Sequence, residues 1–125
     1  MAKILVIDDS EELLEIFSLI LTWKGYEAKT ISSQDKVHVA IADFSPDLIL
    51  LDVMFGDFDG RDLCKEIKES DAKNIPIILI SANPGFLKNY EECHADAVVE
   101  KPFDIQTAIN QINTVLTKYQ PIPVN

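Results

Sequence analysis

Cysteine, glycine and tryptophan are scarce in this chain of 125 residues, with two Cys, four Gly and one Trp. Cys64 and Cys93 match no CxxC or zinc spacing, so neither a disulfide framework nor a cysteine metal site is indicated. Two free, buried or half-buried thiols in a reduced, cytoplasmic protein are the expectation. His38 and His94 have no Cys or carboxylate at ligand spacing and read as surface residues. The four glycines form no GxGxxG or Walker loop, which makes a nucleotide-binding or flavodoxin-like module remote. Basic residues are also few: 11 Lys and Arg against 21 Asp and Glu leave a formal charge of −10. Nucleic-acid binding depends on Lys and Arg displacing counterions, so that class of partner is excluded. No apolar run approaches the ~20 residues that cross a bilayer. The opening "MAKILVIDD" is no signal peptide, because its apolar stretch is short and ends in acid.

What is present is an ordinary globular composition, 47% hydrophobic and 26% charged, at the size of one domain. Apolar runs alternate with helical patterns along the chain. "KILVID" reads as a strand, followed by a helix capped by Asp9 or Ser10, favoured by Glu11 and Glu12 at its positive end and stopped at Gly25. Leu13, Ile16, Phe17, Ile20 and Leu21 form its expected inner stripe. "YEAKTIS" alternates as an edge strand does. Val37, Ala40, Ile41 and Phe44 make a second helical stripe, and "DLILLDV" is apolar enough for the central strand. A third helix is expected over residues 59–69, then strands in "IPIILIS" and "ADAVVE". Between these two strands, Pro84 and Gly85 leave room for about two helical turns from Phe86 onward, a short and mobile element. The last helix begins at Asp104, with Ile105, Ala108, Ile109, Ile112, Val115, Leu116 and Tyr119 facing inward. "QPIPVN" cannot extend it. The pattern implies an α/β fold, a (βα)5 doubly wound parallel sheet with strand order 2-1-3-4-5. Residues 1–120 form the domain, and 121–125 are a C-terminal tail or a truncated linker.

The first and third strands of such a sheet are neighbours, and both run into acid: Asp8 and Asp9 after one, Asp52 after the other. Ligands bind beyond the carboxyl ends of these strands. Two unit charges ~4 Å apart cost ~4 kcal/mol at an effective dielectric near 20. A divalent cation removes the conflict, and an all-oxygen set of few protein ligands suits Mg²⁺. The bland reading, aspartates that cap a helix, does not explain two separate strands ending in acid. Ser81 ends the fourth strand and Lys101 follows the fifth. A lone Ser there is usually a turn residue and a lone Lys usually solvated, but together they supply a hydroxyl and a cation for a phosphoryl group.

In this order, "VIDDS", "LILLDVM…DG", "ILISA" and "EKPF" resemble the receiver domain of bacterial two-component response regulators, of the chemotaxis-regulator type. The match spans residues 3 to 119. The resemblance implies a flavodoxin-like (βα)5 fold and a phosphorylation-activated signalling switch. Asp52 then matches the phosphoacceptor, Asp8 and Asp9 the acidic pair that holds Mg²⁺, and the Met54 backbone carbonyl a further metal ligand. Ser81 matches the switch hydroxyl and Lys101 the lysine that pairs with the phosphoryl group. The implied partner is a sensor histidine kinase or a histidine phosphotransfer protein, docking around Leu13 and Ile16 and on the loop after Lys101. A cis Lys101–Pro102 peptide is also implied. The domain would be a phosphoacceptor with self-phosphorylation and self-dephosphorylation chemistry, not an enzyme.

Two positions depart from the family pattern. Gly56 replaces the usual proline in "DVMFGDFDG", which points to a more flexible loop. Val98 replaces the usual Tyr or Phe three residues before the lysine, so no ring can swing inward. The readout is then expected to lie elsewhere, in an ordering of residues 83–93. Several readings compete. No DNA-binding output domain follows in the sequence, so a stand-alone receiver fits, in a phosphorelay or acting by protein contact. A receiver excised from a hybrid histidine kinase or a longer regulator fits as well. A haloacid-dehalogenase-type phosphatase needs a second Asp two residues after its nucleophile, where this chain has Met54. An inert pseudo-receiver is disfavoured because all five functional positions are filled.

Overall fold

The computed structural model describes residues 2–119. Residues 121–125, expected as tail or linker, and the "QPIPVN" segment lie outside the described residues. Five parallel strands make the main sheet: β1 Lys3–Ile7, β2 Glu27–Ile31, β3 Leu48–Asp52, β6 Ile77–Ser81 and β7 Ala97–Glu100. Between β3 and β6 lies a small antiparallel ribbon of β4 Met54–Phe55 and β5 Phe58–Asp59. The sheet order is β2-β1-β3-β6-β7, which is 2-1-3-4-5 when only its own strands are counted. The expected fold is therefore the observed one.

Alternation along each strand divides the core into two layers. Leu5, Ile7, Ile49, Leu51 and Leu79 face one side, where they pack with Val37, Ala40, Leu63 and Ile67. These last four come from α2 (Val37–Phe44) and α3 (Gly60–Lys68). Ile4, Val6, Leu48, Leu50 and Ile78 face the other side, against Phe17 and Ile112 from α1 (Glu11–Trp23) and α5 (Ile105–Tyr119). Covered on both faces, β3 is buried at every residue, Asp52 included. That is why its sequence runs apolar without a break.

The caps follow local chemistry. Ser10, not Asp9, caps α1, its hydroxyl accepting the Leu13 N–H, and Asp59 caps α3 by accepting the Arg61 N–H. The inner stripe of α1 is Leu14, Phe17 and Leu21, whereas Ile16 is 40% exposed. Leu13 and Ile20 are partly buried against the same layer. Ile16 therefore has to be moved from the core to the surface. α4 is a single turn, Pro84–Leu87, followed by a 3-10 turn at Tyr90–Cys93. It starts two residues before Phe86 because Asn83 caps it and Pro84 occupies the first turn, where no N–H is needed. His38 and His94 are both exposed. Cys64 and Cys93 are free and buried, and burial pushes the Cys64 thiol upward, which favours its protonated form.

At the end of the sheet opposite Asp52, a half-buried ion pair joins α3 to the start of β7. Lys68 Nζ lies 2.8 Å from Asp96 Oδ2, which also accepts the Ile77 N–H at 2.8 Å. Burial raises the cost of the Asp96 charge, but bonds from Lys68, the Tyr119 hydroxyl and the Ile77 N–H outweigh it and hold the carboxyl below its usual range. No helix among the described residues is long and apolar enough to cross a membrane.

Candidate functional site

Four strands deliver polar groups to one edge of the sheet. β1 ends at Ile7 and hands on Asp8 and Asp9, β3 ends on Asp52, β6 ends on Ser81, and Lys101 follows β7. In the register, Asp52 lies beside Ile80, one residue before Ser81, and Ser81 lies beside Glu100, one residue before Lys101. The topology therefore brings together residues up to 93 positions apart, as the bond between Asp8 and Lys101 shows.

Each carboxylate is oriented by a backbone N–H. Asp8 Oδ1 accepts from Ser10 at 2.9 Å, Asp52 Oδ1 from Met54 at 3.3 Å, and Asp9 Oδ2 from Gly56 at 3.0 Å. Lys101 Nζ donates to Asp8 Oδ2 at 3.2 Å and stands 3.6 Å from Asp52 Oδ2. One oxygen from each of Asp8, Asp9 and Asp52 falls within 4.8 Å of the others. Asp8 and Asp52 are buried, and Asp9 is exposed.

Three carboxylates facing one ammonium leave excess negative charge in a partly dry crevice. Burial, and after it the charge of Asp8, push the Asp52 carboxyl up to about 6, although Lys101 and the Met54 N–H pull the other way. All-oxygen donors at this spacing, with the charge unsatisfied, suit a hard divalent cation. Ser81 is buried, and its Oγ accepts the Asn83 N–H at 3.0 Å, which leaves the hydroxyl proton free to donate elsewhere. The Lys101–Pro102 peptide is cis, as expected.

Two features escaped the sequence reading. Gly60 N–H donates to the Val53 carbonyl at 2.6 Å, and a Cβ at Gly60 would sit 2.3 Å from the Asp52 carbonyl oxygen. The helix start can thus lie against the backbone of Asp52 only because residue 60 has no side chain. The "DG" pair at 59–60 was the available signal. The second is the ribbon: the loop expected to be flexible is a paired hairpin whose turn residue Gly56 has φ +59°.

Comparison with known proteins gives this geometry a context. The model of the response regulator receiver domain matches residues 4–113. The chain belongs to that family. Receivers are the phosphoacceptor domains of two-component signalling rather than enzymes. The receiver is 32% identical over 120 residues to the uncharacterized transcriptional regulatory protein YvcP of Bacillus subtilis, covering 94% of this chain and 50% of that protein. It spans about half the length of the curated relatives it matches. The chemotaxis protein CheY4 of Vibrio cholerae superposes with a TM-score of 0.84 at 25% identity, covering 92% of this receiver and 98% of its own chain. The signal receiver domain of a signal transduction histidine kinase from Syntrophus aciditrophicus gives a TM-score of 0.86 at 26% identity, covering 100% of this receiver and 97% of its own chain.

Proposed function

We propose that Asp52 is the phosphoacceptor of this receiver and takes its phosphoryl group from a sensor histidine kinase or a histidine phosphotransfer protein. The observation that carries this reading is the setting of Asp52. It is a buried carboxylate at the end of the central strand, within reach of one ammonium and two further carboxylates. An Asp52 oxygen attacks phosphorus in line. The bond from phosphorus to the donor's imidazole nitrogen breaks, and the electron pair leaves with that nitrogen. Asp8, Asp9 and Asp52 with the Met54 backbone carbonyl would hold Mg²⁺, which when bound supplies positive charge to the phosphoryl oxygens. Lys101 neutralises charge on a second oxygen, and the Ser81 hydroxyl donates to a third. Catalysis here is positioning and charge. Water later cleaves the acyl phosphate, which returns the Asp52 carboxylate and releases inorganic phosphate.

The kinase-side partner would dock in the apolar groove between α1 and the loop after Lys101, lined by Leu13, Ile16, Pro102, Phe103 and Ile105. Phe103 is anchored there by its ring, 5.8 Å from that of Phe17. The reading also carries a cytoplasmic setting, which the two free thiols suit. The test is incubation with acetyl phosphate and Mg²⁺, followed by intact mass. A gain of ~80 Da is expected in the wild type and none in Asp52→Ala; an equal gain in both would remove Asp52 from its role.

A second reading treats residues 1–120 as one module of a longer regulator or hybrid kinase, with 121–125 as linker. The half-length match to the curated relatives favours it. An immunoblot of native cell extract separates the two: a band near 14.0 kDa means a stand-alone receiver, and a much larger band means a module.

A further inference from the structure

The three backbone bonds that orient the carboxylates are not alike. Ser10 to Asp8 and Met54 to Asp52 each join residues two positions apart, so they tie no distant segment to the site. Gly56 to Asp9 joins residues 47 positions apart and ties the loop after β1 to the hairpin after β3. Asp9 is also the exposed carboxylate of the three, the one with most freedom to swing toward water. Among the described residues the Gly56 N–H is the one protein donor to its carboxylate.

The bond needs what residue 56 provides. At φ +59° a proline cannot follow the chain, because its ring fixes φ near −65°, and it has no N–H to donate. A Cβ at position 56 would meet nothing within 4 Å. Substitutions there act through the backbone and the N–H, not through a clash.

We propose that the Gly56 N–H is a positioning group for the cation site. It holds Asp9 turned toward Asp8 and Asp52, and a bound divalent cation in turn orders the β4–β5 hairpin. This rests on the reading of the carboxylate trio as a cation site. With Oδ2 accepting from Gly56, Asp9 still has a second carboxylate oxygen to offer a cation. A carboxylate already held in place loses less freedom on binding than a free one. Coupling of this kind is reciprocal, so whatever factor the bond adds to cation affinity, the cation adds to the bond.

The experiment is calorimetric titration of Mg²⁺ into the unphosphorylated protein and three variants. Gly56→Asn keeps the N–H and tolerates positive φ, and its Kd should stay within about threefold of wild type. Gly56→Pro should weaken binding roughly tenfold, the loss of one charge-assisted bond. Asp9→Asn should weaken it further. In the wild type, saturating Mg²⁺ should slow exchange of the Gly56 amide by about the same tenfold factor. A folded Gly56→Pro that binds Mg²⁺ like wild type overturns the proposal and leaves the cation reading intact. So does a Gly56 amide indifferent to Mg²⁺ in a protein that binds it. A wild type that binds no Mg²⁺ at millimolar concentration overturns the cation reading itself.

Discussion

Lys101 is hydrogen-bonded to Asp8, with Nζ 3.2 Å from Oδ2, and lies farther from Asp52, at 3.6 Å. The ammonium thus leans on one of the three carboxylates proposed to hold the cation. A cation bound at Asp8 would compete with Lys101 and leave it free to face Asp52. On the proposed reading, one side chain would serve as placeholder before phosphorylation and as partner of the phosphoryl group after it.

Removing that placeholder should move two measurements in opposite directions. Lys101→Met should tighten Mg²⁺ binding about fivefold, since roughly 1 kcal/mol of like-charge repulsion and competition disappears. Phosphorylation by acetyl phosphate should slow by tenfold or more, because a transition-state cation is lost. Titration calorimetry and intact-mass time courses read the two. If Mg²⁺ binding weakens in Lys101→Met, Lys101 does not compete with the cation for Asp8.

The raised Asp52 carboxyl makes stability depend on pH in a defined direction. Its folded value, about 6, lies above the ordinary 3.8. Below the ordinary value the group is protonated in both folded and unfolded chains, and no penalty applies. As pH rises toward about 6, the unfolded chain ionises first, and stability falls by roughly 2–3 kcal/mol. Above that range the loss is complete. Asp52→Asn removes the ionisation, so at about pH 7.5 without divalent ions it should melt several degrees above wild type. Millimolar Mg²⁺ should narrow the gap by stabilising the wild type. A lower Tm for Asp52→Asn in metal-free buffer would contradict the assignment.

Particular residues show why much of this was readable in advance and some was not. Asp8, Asp9 and Asp52 stood out because a charge ending an apolar strand conflicts with burial, and the parallel topology places all such ends on one edge. Ser81 and Lys101 were legible through the same topology. Leu14 and Ile16 were exchanged because α1 carries apolar residues around more than half its circumference, so periodicity alone does not name the buried face. The hairpin was invisible because two residues per strand carry no period, and its turn depends on a positive φ that only the structure reveals. Gly60 matters through close approach to Asp52, a tertiary relation that composition does not encode.

The exposure of Ile16 turns that exchange into a prediction. A β-branched apolar residue 40% exposed at the rim of the α1 groove suits a partner helix better than water. Ile16→Asp should leave acetyl phosphate labelling within about twofold of wild type, because the crevice is untouched. Transfer from a cognate histidine donor should fall at least tenfold, a loss of roughly 1.4 kcal/mol or more at the docking surface. Equal losses with both donors would place Ile16 in the chemistry rather than in recognition.

Val98 is half-buried and packs with Phe86 and Tyr90 against the layer that holds α3. β7 carries no ring, and the Phe86 ring on α4 lies under the Arg61 guanidinium, 4.6 Å from its centroid. Ser81 Oγ accepts the Asn83 N–H, and Asn83 caps the single turn that carries Phe86. A phosphoryl group that held the Ser81 hydroxyl toward Asp52 would also fix the Oγ on which the cap residue of α4 is anchored. Amide exchange over residues 83–93 should therefore slow on adding beryllofluoride with Mg²⁺, and Ser81→Ala should lose most of that change while still binding the ligand. Phe86→Leu, which forfeits the cation–π contact, should show a smaller change than wild type. Unaltered protection across 83–93 in a protein saturated with beryllofluoride would move the readout away from α4.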